Sequence, residues 1–163
     1  MGSAPFHPLP TPPDRAETGA DAPCGIAAGA RIFTLDGALP VEHLAPGDRV
    51  VTRAGVAVLR RVTVHPADTA AVVRIAPGAL GHDRPGAGLV LGAGQPVAVG
   101  DWRAKTLYGQ ARAMVPVRRL IDGQYIRARA AGGQRLYRLE FDRPQVVYAD
   151  GVELGCAPVT VTV

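Results

Sequence analysis

The sequence predicts an all-β fold of short strands and tight turns, on three observations. Its 163 residues include 20 Gly and 15 Pro, enough punctuation to cut the chain into many short pieces. Apolar residues recur mainly with a period of two, the spacing that puts alternate side chains on one face of a strand. No long stretch repeats at the helical period. These features indicate a sandwich, a barrel or an irregular β-disk, and periodicity does not choose among them.

The elements follow in chain order. Residues 1–23 hold Pro5, Pro8, Pro10, Pro12, Pro13 and Pro23 with few apolar side chains, and read as an extended leader. Short apolar runs begin at Cys24, so residues 24–157 form the expected β domain and 158–163 a strand or tail. Arg31–Thr34 reads as a strand ahead of a turn at Asp36-Gly37. Pro46-Gly47-Asp48 is a second turn, with Pro fixing φ and Gly free to take positive φ, and it launches Arg49–Thr52. Val56–Val64 is one β-branched run. Ala71–Ile75, Leu89–Leu91 and Val97–Val99 are further strands. Leu136–Phe141 and Gln145–Tyr148 flank Asp142-Arg143-Pro144 and are expected to pair as a hairpin. Val117–Ile121 is the one segment that reads as a short helix.

Composition excludes several classes. With 47% hydrophobic and 20% charged residues, the chain builds a core and suits one domain. The net charge of +4 comes almost wholly from scattered Arg, Lys105 being the single lysine, and aromatics are only 5%. That is a solvated basic surface without stacking platforms, so no nucleic-acid partner is expected. No run is apolar enough to span a bilayer. No basic segment followed by an apolar run opens the chain, which leaves the compartment open between the cytoplasm and export by a non-classical route. Two cysteines and four dispersed histidines (His7, His43, His65, His82) make neither a disulfide framework nor a zinc site, so no metal or cofactor is expected. The acidic pairs Asp36/Glu42 and Glu140/Asp142 read as turn formers or partners of Arg, not as glycosidase acids. Gly86-Ala87-Gly88 and Gly132-Gly133 lack the strand–helix setting of a nucleotide loop.

Three segments, in order, resemble the bacterial hedgehog/intein (Hint) family. Cys24-Gly25-Ile26-Ala27-Ala28-Gly29-Ala30-Arg31-Ile32 is similar to the family's opening: a cysteine, a glycine about five residues on, then a first strand. Pro40–Thr52, containing Val41-Glu42-His43-Leu44-Ala45-Pro46-Gly47-Asp48-Arg49-Val50, resembles its most recognisable stretch. Phe141–Gly151 resembles the closing hairpin of the bacterial subgroup. The likeness covers roughly residues 24–155. It implies a pseudo-symmetric β-disk, or horseshoe, whose two ends lie close together.

The resemblance also implies a chemistry. In the family the cysteine attacks the carbonyl before it, here the Pro23–Cys24 bond, and turns an amide into a thioester. A free thiol is only a few per cent ionised at neutral pH. The family adds a Thr-x-x-His or Ser-x-x-His segment whose histidine protonates the leaving nitrogen. The matching segment here is Gly92-Ala93-Gly94-Gln95, with Gly92 for the hydroxyl residue and Gln95 for the histidine. Gln donates hydrogen bonds but yields no proton at pH 7. A further histidine common in the closing hairpin is Pro144 here. A positioned acid or base contributes about 10²–10⁴-fold, about 3–5 kcal/mol of barrier. The resemblance thus implies an autoprocessing domain with Cys24 as nucleophile, Gln95 at the former acid position, and impaired activity. Its substrate partner would be its own N-terminal segment or a fused protein. The rival reading is a non-catalytic β module that binds a protein or presents a fused segment.

Splicing is not expected, because the chain ends Val159-Thr160-Val161-Thr162-Val163 and lacks a terminal His-Asn pair. Sterol transfer would need a further region after Gly155. Cys156 reads first as a small apolar residue. If the module's ends meet, it has a sharper reading, a disulfide with Cys24. Trp102 reads as a core anchor or a ligand platform. Arg-over-Lys and Ala-rich usage points to a GC-rich bacterial genome.

Overall fold

A computed structural model describes residues 23–67, 72–81, 84–100, 113–130 and 133–159. Among these, fourteen strands and two 3-10 turns form two antiparallel sheets, with no α-helix. The first half runs β1 (Ile26–Ala27), β2 (Arg31–Thr34), β3 (Gly37–Pro40), β4 (Arg49–Thr52), β5 (Gly55–Val58), β6 (Arg61–Pro66) and β7 (Val72–Ile75). The second runs β8 (Leu89–Gly92), β9 (Pro96–Val99), β10 (Ala113–Pro116), β11 (Ile126–Arg129), β12 (Arg135–Glu140), β13 (Gln145–Ala149) and β14 (Val152–Cys156). Six strands lie in the order β11-β7-β8-β1-β12-β6. The other sheet is ordered β10-β9-β14-β13-β2-β4-β5, with β3 on β2. The all-β expectation is met.

The predicted turns form by identifiable means. Gly47 takes φ +101°, and the Asp48 carboxylate accepts from Ala45 N at 2.9 Å, closing the Pro46-Gly47 turn. Two hairpins share one device, in which a threonine hydroxyl donates to the carbonyl three residues on. Thr34 does so to Gly37 at 2.8 Å, and Thr52 does so to Gly55. The same oxygens accept from Asp36 N and Ala54 N, so each turn is held from both sides.

Core residues come from both sheets: Ile26, Ile75, Leu91 and Leu139 from the first, Ile32, Val50, Val97, Val147 and Leu154 from the second. Two of the places where the chain passes between the sheets are adjacent corners. Leu59 and Phe141 are almost wholly buried there, and Arg60 N donates to Glu140 O at 2.8 Å. Arg60 pairs with Asp142 at 3.0 Å and Arg61 with Glu140 at 2.7 Å, so the Glu140/Asp142 pair serves arginines, as expected.

These corners correct two expectations. Val56–Val64 is not one strand, because β5 lies in one sheet and β6 in the other. Nor do Leu136–Phe141 and Gln145–Tyr148 pair with each other. β12 pairs β1 and β6, while β13 pairs β14, β2 and β4. The reason lies in Leu139, Glu140 and Phe141, all buried. Three consecutive buried residues break the alternation of a single sheet and seat the chain between two layers. The true hairpin partner of β13 is β14, across Asp150 (φ +51°) and Gly151 (φ +86°), a two-residue turn that needs positive φ twice.

The segment expected as a helix forms a 3-10 turn over Val117–Leu120, and the other 3-10 turn is Val41–His43. Residues 1–22 of the leader, residues 160–163 of the tail, and His7, His82 and Trp102 lie outside the described residues. Pro158 bridges Phe141 in a parallel pairing. No helix among the described residues is long and apolar enough to cross a membrane.

Candidate active site

Cys24 enters the fold directly ahead of β1. Beside β1 lies β8, and the chain then leaves the six-stranded sheet through Ala93-Gly94-Gln95 to enter the other sheet as β9. That crossing loop is fixed by its main chain. Gln95 N donates to Gly92 O at 3.0 Å, while Arg118 N and Val117 N donate to Ala93 O and Gln95 O at 3.1 and 2.9 Å. The 3-10 turn after β10 therefore braces the loop from behind.

The loop holds the residues around the sulfur. Gly94 N donates to Pro23 O at 2.7 Å, placing an amide dipole on the carbonyl of the Pro23–Cys24 bond. Cys24 Sγ lies 3.5 Å from Gly94 O and donates to it. Gly92 sits against the same carbonyl: a Cβ there would lie 2.6 Å from Pro23 O and 3.0 Å from Leu136 Cδ1. Only glycine lets Pro23 approach this closely.

Gln95 is 4% exposed and both ends of its carboxamide are engaged. Its Oε1 accepts from Gly25 N at 3.0 Å, and its Nε2 donates to Gly155 O at 2.8 Å and to Pro96 O at 3.2 Å. One side chain therefore ties the start of the domain to the end of β14.

A cavity of about 390 Å³ opens beside the sulfur. Cys24, Gln95, Pro144 and Cys156 line it, with apolar wall from Ile26, Met114, Leu139 and Val146. The structure thus brings together Cys24, Gln95, Gly92 and Pro144, four positions singled out in the sequence. Among the described residues no histidine, Asp or Glu lines the cavity. His65 is on β6 opposite Leu136, two strands from β1, and His43 is in the Val41–His43 turn. Among the described residues no cluster of ligating side chains suits a metal.

Burial raises the Cys24 thiol above its ordinary pKa, opposed by the positive charges of Arg138 and then Arg118. Desolvation pushes Cys156 up to about 12, with Arg138 again opposing. Both cysteines stand as free thiols, with no bond between them in this structure. Sequence reasoning missed Gly94, Gly155 and Arg138. The first two act through main-chain atoms that no residue type reveals. Arg138 reads simply as an outward position of an alternating strand.

Fold and site together define a β-domain with a cysteine just ahead of β1, beside the point where Gln95 ties Gly25 to Gly155. The chain belongs to the Hint domain family, whose profile matches residues 24–156. Solved structures carry the same fold. A bacterial intein-like domain from Clostridium thermocellum is 17% identical over 82% of this chain and 97% of its own, with a TM-score of 0.56. The gp41-1 intein is 9% identical over 82% and 98%, and the MchDnaB-1 intein 12% over 82% and 99%, each with a TM-score of 0.52. No curated protein matches the sequence.

Proposed function

We propose that residues 24–157 form an autoprocessing module in which Cys24 drives a weak N–S acyl shift at the Pro23–Cys24 bond. In that step Sγ attacks the Pro23 carbonyl, a C–S bond replaces the C–N bond, and the thiol proton ends on the Cys24 amine. An external thiol or water then takes the acyl group, releasing the N-terminal or fused segment. The supporting observation is the 2.7 Å hydrogen bond from Gly94 N to Pro23 O, with Sγ against the same loop. Such a donor stabilises the negative oxygen that develops on attack.

Proton delivery is the deficient part. Gln95 yields no proton, and both ends of its amide are already bonded. The raised Cys24 pKa further lowers the thiolate fraction. Losing one acid costs about 10²–10⁴-fold in rate.

Intact mass of the full chain, with and without dithiothreitol, tests this. The expected result is slow, thiol-promoted loss of residues 1–23 over hours to days, abolished in Cys24→Ala. Cleavage within minutes contradicts the impairment. A mass unchanged over days in excess thiol, matching Cys24→Ala, leaves the non-catalytic β module as the reading.

A further inference from the structure

The cavity beside Cys24 contains a second thiol that the acyl shift does not use. Cys24 and Cys156 both line it, with no bond between them. Two further observations bring them close. Gly25 N and Gly155 O, each one residue from a cysteine, are separated only by the Gln95 carboxamide and its bonds of 3.0 and 2.8 Å. Arg138 lines the same cavity, and its charge acts on both sulfurs.

We propose that Cys24 and Cys156 form a reversible disulfide across this cavity when a low-molecular-weight disulfide oxidises them, withdrawing the nucleophile from acyl transfer. The Cys24 thiolate attacks one sulfur of the small disulfide and expels the other as a thiolate. Cys156 then attacks Cys24 Sγ in the mixed disulfide and expels the second small thiolate. Two protein thiols are oxidised, one external disulfide is reduced to two thiols, and each protein thiol gives its proton to a departing thiolate. Cys24 reacts first because its thiol is the less strongly suppressed and has Arg138 and Arg118 beside it. Cys156 resolves slowly, since few of its molecules are thiolate below about pH 12. Bond formation needs Cα atoms about 4.4–6.8 Å apart, so the two strand ends tied through Gln95 must close to that separation when the bond forms.

The test does not depend on cleavage, so it stands apart from the acyl-shift reading. Reduced full-length protein is incubated with oxidised glutathione, alkylated after denaturation, and weighed intact. The expected product is two hydrogens lighter, takes no alkyl group, and reverts with dithiothreitol. Folded protein should form it faster than protein held in urea, and Cys156→Ser should stop at one glutathione on Cys24. Wild-type protein that keeps the glutathione adduct, takes up two alkyl groups, or closes the bond only in urea overturns the proposal.

Discussion

Replacing Gln95 with Met probes the joint on which the site depends. Met nearly keeps the volume and removes both polar ends. Gly25 N–H, buried next to β12, then loses its acceptor, and Gly155 O loses its donor. A stranded buried group costs about 1–3 kcal/mol. A carbonyl tolerates a lost partner better than an amide does, which places the sum at about 2–4 kcal/mol, with a small apolar gain from the Met side chain set against it. Typical domains hold about 5–15 kcal/mol in total, so the effect is a large fraction. Equilibrium urea unfolding followed by circular dichroism measures it as a lower midpoint at unchanged slope. A loss under about 1 kcal/mol at constant slope would refute the view that this carboxamide clamps the domain's two ends.

Two other perturbations follow from the same geometry. Gly92→Ala puts a methyl 2.6 Å from Pro23 O, so stability should fall by about 1–3 kcal/mol. The Gly94 amide should exchange faster with solvent as that carbonyl is displaced, and unchanged exchange would show that the contact relaxes without consequence. Alkaline pH should weaken the fold through Cys156, whose thiol ionises only near 12 when folded but at about 8.5 in the unfolded chain. Above about pH 9 the unfolded state binds fewer protons, so stability falls as pH rises, by up to about 1.4 kcal/mol per unit until the folded pKa is reached. Cys156→Ala should remove that part of the slope, read as a converging pair of urea midpoints between about pH 8 and pH 11.

Local signals carried much of the fold. Gly47 takes the positive φ its turn requires, and Arg31–Thr34, Arg49–Thr52 and Leu89–Leu91 are strands where alternation places them. Pairing was less legible, because period-two patterning marks a face without naming a neighbour. Leu59 and Phe141 show the difficulty: each sits in an apolar run that reads as one strand or hairpin, and only the layered structure makes it a corner. The β13–β14 hairpin turns at Asp150-Gly151, a turn signal the sequence holds, whereas the expected turn was Asp142-Arg143-Pro144. Cys24, Gln95 and Pro144 were found through the ordered resemblance. The Gly94 donor was not, since a peptide N–H is common to almost every residue and its aim depends on a loop fixed by β10 and the turn after it.

Gly92 and Gln95 read differently once their neighbours are known. In the sequence they stand out as missing chemistry, a lost hydroxyl and a lost imidazole. In the structure each satisfies a demand. Gly92 makes room for the Pro23 carbonyl, and Gln95 offers an acceptor to Gly25 and a donor to Gly155 with one planar group. A neutral imidazole also has one acceptor and one donor, but here it is the Gln95 carboxamide that spans the bonds of 3.0 and 2.8 Å to the two strand ends. The same carboxamide cannot also supply a proton, because it holds none that titrates near neutrality. On the proposed reading, the interactions that close this domain tightly are the ones that leave its cysteine without an acid.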